Sequence, residues 1–398
     1  MKQGWGIKKL GDITTSINGL WTGKKPPFIT IAVIRNTNFT KDCKLDTSDI
    51  AYIDVEQKQY ANRKLQCGDI IIEKSGGSDK QPVGRPIIFN IKDGDYSFSN
   101  FTSTLRVNDK SAVAPEFLHR YLTHIYMRGD TAAMQSKTTG LRNLNFTLYK
   151  SIQVPIPPLP EQERIVEELD CLSGIIEKKR EQLKELDALA ESIFYTMFGD
   201  PITNEKGWEV KKLGEVCDVR DGTHDSPKYL EYSDYVLITS KNITSEGNID
   251  FSTANYICKE DYDVINKRSL VENGDIIMAM IGTIGKPIII KSIDRNFCIK
   301  NVALIKFGGS TKVSNSYIQA LLNNATYGQY IQSLNKGGTQ KFIALGTIRN
   351  LLTPVPPLAL QQEFAEKIEA IEKQKQLIKE SIAQTEELFN SRMAYYFN

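Results

Sequence analysis

Apolar residues recur at alternating steps of three and four positions along two long segments of the chain. In the first segment these positions are Ile165, Leu169, Leu172, Ile176, Leu183, Leu186, Ala190, Ile193 and Met197, with an interruption at Lys179. The second segment repeats the pattern 199 residues later at Phe364, Ile368, Ile371, Ile378, Ile382, Phe389 and Tyr396, with interruptions at Lys375, Thr385 and Arg392. A period of about 3.5 is typical of a coiled-coil seam, so each segment is predicted to form one long helix paired with another helix.

A proline-rich stretch precedes each predicted long helix. Residues 155–163 read PIPPLPEQE and residues 354–362 read PVPPLALQQ. Proline disfavours helix in the residue before it and favours the first turn of a helix that follows it. These stretches therefore mark where a globular body ends and a long helix begins.

The two bodies are copies of one plan. GWGIKKLG at 4–11 matches GWEVKKLG at 207–214, and the turn dipeptide Asn18-Gly19 matches Asp221-Gly222. Further along, IAVIRNTN matches YVLITSKN, and CGDIII matches NGDIIM. Matches in the same order along both halves indicate a tandem repeat. Each body is predicted to mix β-branched strands, as at 86–91 and 287–290, with short helices at 114–128 and 314–334.

The predicted fold class is α+β, with two tandem mixed α/β bodies separated by two long helices. The boundaries are 1–159 and 201–358 for the bodies, and 160–200 and 359–398 for the helices. We expect the helices to pair with each other as an antiparallel coiled coil, which relates the halves by a pseudo-twofold axis. The alternative is a plain duplication whose helices pair with other chains.

Composition and charge narrow the class of protein. Apolar residues make up 40% and charged residues 25% of the chain, as in ordinary globular proteins, and no run is long and apolar enough to span a membrane. A cytoplasmic protein is the expectation. Lys and Arg exceed Asp and Glu by 8 in residues 1–150, and acidic residues exceed basic ones by 6 in residues 161–200. The basic excess is a modest sign of a polyanionic partner, although solvated lysines alone could produce it.

Catalytic and ligand-binding motifs are weak in this sequence. The six cysteines and three histidines are dispersed, so neither a disulfide framework nor a metal site is expected. The P-loop pattern is missing, and we expect no cofactor. Lys25-Pro26-Pro27-Phe28 is similar to the loop that holds the target amine in amino-methyltransferases, but its lysine cannot accept the hydrogen bond that this chemistry needs.

The ordered set of motifs resembles the specificity subunit of type I restriction–modification systems. The resemblance rests on G-W-x-x-x-x-L-G, on G-D-I-I before a Gly-rich turn, on P-x-P-P-L and on the long helix, all present twice, and it covers almost the whole chain. It implies that each body is a target-recognition domain for one half of a split DNA site. It also implies that the chain itself is not an enzyme and that catalysis resides in partner subunits.

The partners that the resemblance implies are double-stranded DNA, two methyltransferase subunits and, through the complex, restriction and translocase subunits. Two other functions remain open: a stand-alone DNA-modifying enzyme and a protein-binding adaptor. The second copy has Ala359-Leu360 where the first has Pro160-Glu161, so its helix is expected to start within a residue or two of the equivalent position.

DNA contacts are expected on loops that offer cations, amides and hydroxyls, because phosphates and base edges require these groups. The strand exits, the Gly-rich turns and the loops before the proline runs meet this requirement. The predicted DNA-binding residues are Arg35, Asn36, Lys74, Ser75, Lys80, Arg85, Lys137, Thr138, Arg142, Lys241, Asn242, Thr283, Lys286, Lys336, Thr339, Gln340 and Lys341. Trp5 and Trp208 lie in the repeated scaffold and are predicted to be core residues.

Overall fold

The structure is a computed structural model that describes residues 4–398 except 22, 24, 79–80, 139–140, 245–246, 282–284, 309–311 and 335–341. The chain divides into two compact units. The first comprises Met1–Lys179 with Glu380–Asn398, and the second comprises Arg180–Lys379. Each division falls inside a long helix rather than at a proline run, so each unit contains a body together with parts of both long helices.

The first unit is built mostly from short strands. Its strands are Gly6–Lys9, Thr14–Asn18, Phe28–Ile34, Ala51–Glu56, Asp69–Glu73, Ser75–Gly77, Pro86–Phe89, Tyr96–Phe98, Thr102–Val107, Gln135–Thr138, Leu141–Leu144 and Gln153–Ile156. Its helices are Leu10–Ile13, Gln57–Ala61, Pro115–Met127, Phe146–Lys150 and the first part of Leu159–Phe198, which we call the first long helix. Short 3-10 turns occur at Asn36–Asn38 and Asp130–Met134.

The second unit repeats this order. Its strands are Glu209–Lys212, Asp218–Asp221, Tyr235–Thr239, Asn255–Ile257, Ile276–Ala279, Gly285–Ile289, Asn296–Lys300, Val302–Lys306 and Leu352–Val355. Its helices are Leu213–Val216, Lys259–Ser269, Asn315–Asn323, Ala325–Ser333, Leu345–Arg349 and the first part of Leu358–Phe397, the second long helix. Short 3-10 turns occur at Ser240–Asn242 and Phe251–Thr253.

The sheets correspond between the units. In the first unit an antiparallel four-stranded sheet has its central strands at Thr102–Val107 and Asp69–Glu73. A three-stranded sheet lies around Phe28–Ile34, which pairs antiparallel with one neighbour and parallel with the other. Tyr235–Thr239 has the same mixed pairing in the second unit. In both units the first strand of the body pairs antiparallel with the strand that runs into the proline-rich stretch.

The repeated Gly-Asp motif fastens a loop to the central sheet. Gly68 and Gly274 have φ values of 92° and 88°, a left-handed conformation that favours glycine. Asp69 then accepts a hydrogen bond from the Gln66 N–H at 2.8 Å and pairs with Arg106 at 2.7 Å. The second unit has the same arrangement, with Asp275 bound to the Glu272 N–H and to Lys306. The motif therefore holds the central strand from which the Gly-rich turn departs.

Each body is completed by the last part of the other half's helix. In the first unit the Phe397 ring packs edge-on against Phe117 and Tyr121, both at 5.6 Å between ring centroids. In the second unit the Phe198 ring packs edge-on against Tyr317 at 4.8 Å and Phe364 at 5.1 Å. Because deleting a buried aromatic ring costs about 3–5 kcal/mol, these helix ends are integral parts of the two cores.

The predicted coiled-coil seam is confirmed: every predicted seam residue is buried or half-buried. In the first unit Glu168 pairs with Arg392, and further along the first long helix Lys179 donates to Ser381 Oγ at 2.5 Å. From the first of these pairs to the second, the residue on the first long helix lies 11 positions later and the residue on the second long helix lies 11 positions earlier. The two helices therefore run antiparallel there. In the second unit Lys375 pairs with Asp187 at 2.7 Å. The interruptions in the apolar pattern are thus polar pairs between the helices.

One expectation needs correction. The helix predicted at 314–334 is divided, because the side chain of Asn324 accepts a hydrogen bond from the Tyr327 N–H and begins a new helix. Trp5, predicted to be a core residue, is half-buried and packs against the core of the first unit, and Trp208 is half-buried. Each indole N–H has a hydrogen-bond acceptor, Glu161 for Trp5 and the Phe198 carbonyl for Trp208. In the part of the chain that the structure describes, no helix has the length and apolar character needed to cross a bilayer.

Candidate nucleic-acid interface

Three of the predicted DNA-binding segments meet at one place in the first unit. The strand Leu141–Leu144 pairs antiparallel with both Gln135–Thr138 and Ser75–Gly77, and Asn143 lies opposite Ser75. The Asn36 side chain reaches this small sheet, where its amide donates to the Ser75 carbonyl at 2.6 Å. The strand exit, the Gly-rich turn and the loop before the proline run therefore form one surface, which we call the loop sheet.

The Gly-rich turn has no room for a side chain at position 77, where it joins the loop sheet. A Cβ atom on Gly77 would lie 2.7 Å from Val83 Cγ1 and 2.9 Å from the Gln81 carbonyl oxygen, closer than non-bonded atoms approach. Ser75 presents its hydroxyl to the Asn143 side chain, with 2.5 Å between Ser75 Oγ and Asn143 Oδ1. The loop sheet thus offers amides and a hydroxyl in fixed positions, which suits hydrogen bonding to base edges or phosphates.

Lys74 supplies a cation beside the loop sheet. Its Nζ donates to Asn18 Oδ1 at 3.0 Å, and Ser103 donates to the same oxygen at 3.1 Å. Partial burial lowers the pKa of Lys74, because the charged ammonium loses part of its hydration. A phosphate at this position would restore favourable interactions to that ammonium. Arg142 is half-buried in the neighbouring strand.

Arg85 does not belong to this surface. Its side chain is 5% exposed, pairs with Glu73 at 3.1 Å and donates to the carbonyls of Phe39 and Thr40. Burial raises the pKa of Glu73, against the opposing effect of the Arg85 charge. The structure therefore corrects the prediction for Arg85: its guanidinium neutralises a buried carboxyl group and cannot reach DNA in this conformation.

Asn242 is also a scaffold residue rather than a DNA-contact residue. It is buried, its Oδ1 accepts from the Thr239 N–H at 2.9 Å, and its amide donates to the Asp250 carbonyl at 3.3 Å. Asn38 is buried in the same role in the first unit, where it accepts from the Arg35 N–H and donates to the Asp46 carbonyl. Arg35 itself is partly exposed, with Asp49 at 3.7 Å, and remains able to face a ligand.

In the second unit the structure describes the ends of the corresponding loops. Ile281 pairs with Phe342, and the Ile343 N–H donates to the Met280 carbonyl at 2.9 Å, so the residues that flank these two loops lie side by side. Lys241 is exposed at the strand exit. Six predicted residues lie outside the described residues: Lys80, Thr283, Lys336, Thr339, Gln340 and Lys341. The side chains of Lys137, Thr138 and Lys286 are likewise not described.

Sequence reasoning missed several residues of this surface. Asn18 orients Lys74, and Asn143 binds Ser75. The side chain of Phe101 is exposed, and its carbonyl accepts from the N–H groups of Lys74 and Ser75. The repeated turn dipeptide marked the region of Asn18. Nothing in the sequence distinguishes Phe101 from a core phenylalanine. Among the described residues, acidic, histidine and cysteine side chains form no cluster suited to a metal ion.

Comparison with known proteins points to one family. The family model described as "Type I restriction modification DNA specificity domain" matches twice, at residues 2–187 and 205–387. A type I restriction enzyme specificity subunit from Salmonella potsdam, StySPI, is 23% identical over 93% of this chain and 82% of its own. The MjaVIII specificity subunit of Methanocaldococcus jannaschii is 26% identical, with 60% of this chain matching 59% of that protein. The solved S subunit from M. genitalium has the same fold, with a TM-score of 0.57, 12% identity and coverage of 99% of this chain and 96% of that one.

Proposed function

Since this chain belongs to the family of type I restriction–modification DNA specificity proteins, we propose that it is the subunit that reads DNA sequence in such a complex. Each unit reads one half of a bipartite, asymmetric site. The chain itself performs no catalysis. Methyl transfer and cleavage are carried out by methyltransferase and restriction subunits that assemble with it.

One observation carries the proposal: the two units share a scaffold and differ on the surface that the scaffold presents. Asp69 and Asp275 have equivalent ion pairs, and Asn38 and Asn242 have equivalent backbone contacts. At the start of the Gly-rich turn, by contrast, the first unit has Lys74 and the second has the buried Met280. Two related domains that recognise different half-sites need a shared framework and different contact groups.

The DNA-facing surface of the first unit is the loop sheet with Lys74. Lys74 and Arg142 contact phosphates, and Ser75 and Asn143 offer the donors and acceptors that read base edges, while the Asn36 amide holds the Ser75 backbone in place. The net charge of +8 over residues 1–150 favours the approach of a polyanion. Lys241 has the phosphate-contacting role at the strand exit of the second unit.

The long helices dock two methyltransferase subunits. Leu189 on the first long helix and Leu388 on the second are 199 residues apart, and they are 48% and 49% exposed. Each belongs to a different unit, so equivalent apolar contacts are offered twice. Exposed leucines at equivalent positions on paired helices suit the attachment of one partner copy to each unit.

Reconstitution tests the proposal. The chain is combined with the methyltransferase subunits from its own source, supplied with genomic DNA and S-adenosylmethionine, and the methylated positions are sequenced. The expected result is methylation of one bipartite motif by the complete complex and none by either component alone. Methylation by this chain alone would identify it as an enzyme. If the methyltransferase methylates the motif without this chain, then this chain takes no part in DNA recognition. That result would favour a role as a protein-binding adaptor.

A further inference from the structure

Two exposed rings occupy equivalent positions in the two units. In the first unit the turn reads Asn18-Gly19-Leu20-Trp21, and in the second it reads Asp221-Gly222-Thr223-His224. Trp21 is 65% exposed and the His224 side chain is 62% exposed. The scaffold therefore presents a ring at this position twice, but a different ring each time.

The backbone that carries each ring is fixed by close packing. A Cβ atom on Gly19 would lie 1.9 Å from the Ser99 carbonyl oxygen, and one on Gly222 would lie 2.1 Å from the Ile299 carbonyl oxygen. The Leu20 N–H donates to the Phe98 carbonyl at 2.8 Å, and the Thr223 N–H donates to the Ile299 carbonyl at 3.0 Å. Since the glycine and the following residue are both held by the sheet, the next side chain leaves the scaffold at a defined place.

The turn that carries Trp21 contacts the proposed DNA surface of the first unit through Asn18. Asn18, three residues earlier, accepts the hydrogen bond from Lys74 Nζ. The other two tryptophans, Trp5 and Trp208, are half-buried with their indole N–H groups bonded to protein oxygens. A largely exposed indole in the same turn as Asn18 has the apolar face that stacks on bases and sugars.

His224 is held in a polar setting in the second unit. Its Nε2 lies 2.9 Å from Asp221 Oδ2, and its Nδ1 lies 2.7 Å from Asn301 Oδ1. The Asn301 carbonyl accepts from Ser240 at 3.2 Å, which connects the ring to the strand exit that carries Lys241. The ring edge is thus occupied by Asp221 and Asn301, while its face stays open to solvent.

We propose that Trp21 and His224 contact DNA, each through its ring face, within the half-site that its own unit reads. The identity of the ring helps to set which bases that half-site accepts, so the pair contributes to the asymmetry of the whole site. This inference rests on the proposed function, because it assigns residues to that same recognition.

The test uses the complex of the full chain with its methyltransferase subunits. The probes are labelled duplexes that carry the motif found by methylation sequencing, either intact or with one half-site scrambled. Trp21→Ala is expected to weaken binding to the intact duplex about tenfold, the scale of one lost stacking contact, and Trp21→Phe to keep most of the affinity. His224→Ala is expected to weaken binding severalfold. Each alanine variant should bind with wild-type affinity to the duplex in which the half-site of its own unit is scrambled. That duplex is a different one for Trp21→Ala and for His224→Ala.

Fluorine NMR adds a readout that does not depend on affinity. With 5-fluorotryptophan incorporated into this chain only, the Trp21 signal, assigned through Trp21→Phe, should shift when the intact duplex is added, while the Trp5 and Trp208 signals stay in place. Wild-type affinity for both alanine variants together with an unmoved Trp21 signal would overturn the inference and leave the proposed function standing. A wild-type complex that binds intact and scrambled duplexes equally would instead refute the proposed function.

Discussion

Gln162 and Gln361, 199 residues apart, make the same three hydrogen bonds in the two units. In the first unit Gln162 Oε1 accepts from the Ala114 N–H at 2.9 Å, and Nε2 donates to the carbonyls of Ala112 and Pro157. The corresponding partners of Gln361 are Ser314, Lys312 and Pro356. Both side chains are fully buried. Each amide therefore ties the start of a long helix to the body that precedes it.

Replacing either glutamine by alanine should destabilise its own unit. The substitution leaves a buried N–H and two carbonyls without their partner, which costs about 1–3 kcal/mol for an unsatisfied group. Urea unfolding followed by circular dichroism measures the loss. Gln362→Ala, at the exposed neighbouring position, is the matched control and should change stability by less than about 0.5 kcal/mol. Equal effects of Gln361→Ala and Gln362→Ala would contradict the assigned role.

Alanine variants of Arg85 and Lys74 should separate an effect on folding stability from an effect on DNA binding. Arg85→Ala leaves Glu73 buried without its partner and should cost about 3–5 kcal/mol of folding stability. Lys74→Ala should leave the unfolding midpoint nearly unchanged, weaken DNA binding of the complex and reduce the salt dependence by about one unit, as expected for one lost phosphate contact. Binding measured from low to moderate salt decides the second part, and an unchanged slope would assign Lys74 to solvent.

His119 should make the first unit sensitive to mild acid. Burial, and then the nearby Arg120 charge, lower the pKa of His119 to about 4 from an ordinary value of 6.5. Between these pH values the unfolded chain binds a proton that the folded chain does not bind. The folding stability that neutral His119 contributes is therefore complete above pH 6.5 and is lost as the pH falls toward 4. The full loss is about 3 kcal/mol, and about 2 kcal/mol should be gone at pH 5.

Urea unfolding at pH 7 and pH 5 measures this effect. Because the effect belongs to one side chain, His119→Gln should be less stable than the wild type at pH 7, and the difference should narrow at pH 5. Gln362→Ala, which changes no titratable group at an exposed position, is the control, and its difference from the wild type should be the same at both pH values. A wild-type advantage over His119→Gln that persists unchanged at pH 5 would show that His119 is protonated in the fold.

The proposed docking of methyltransferase subunits predicts a stepwise loss of stoichiometry. Leu189→Lys and Leu388→Lys each place a charge in one apolar contact and should each remove one methyltransferase copy from the complex, as measured by native mass spectrometry. The double variant should release both copies while the chain stays folded. Retention of two copies by the double variant would place the docking surface elsewhere.

The long helices and their seam could be predicted because a period near 3.5 depends only on which residues are apolar. The division at Asn324 was missed, since an asparagine inside an apolar helical pattern becomes a cap only through its own side-chain hydrogen bond. Arg85 was misassigned because the sequence of a loop does not show that its arginine pairs with a buried carboxylate. The partner is Glu73, twelve residues earlier.

The repeat itself contains a signal for separating scaffold from contact residues. Asn38 and Asn242 are the same residue type at equivalent positions of the two copies, and the side chain of each donates to a backbone carbonyl. A residue that reads one half-site has no reason to be identical in the unit that reads the other. By that reasoning Asn242 belongs to the scaffold, whereas positions that differ between the copies, such as Trp21 and His224, remain candidates for recognition.

An exchange of one body tests most directly whether each unit reads its own half of the site. Residues 1–154 are replaced by the corresponding body of another specificity subunit, and both long helices are kept, with the incoming body chosen to retain aromatic residues equivalent to Phe117 and Tyr121 so that Phe397 still packs. The methylated motif of the resulting complex is then sequenced. If each unit reads its own half, one half-site changes while the other half-site is unchanged. A motif in which both halves change, or in which neither changes, would contradict the claim that each unit reads its own half of the site.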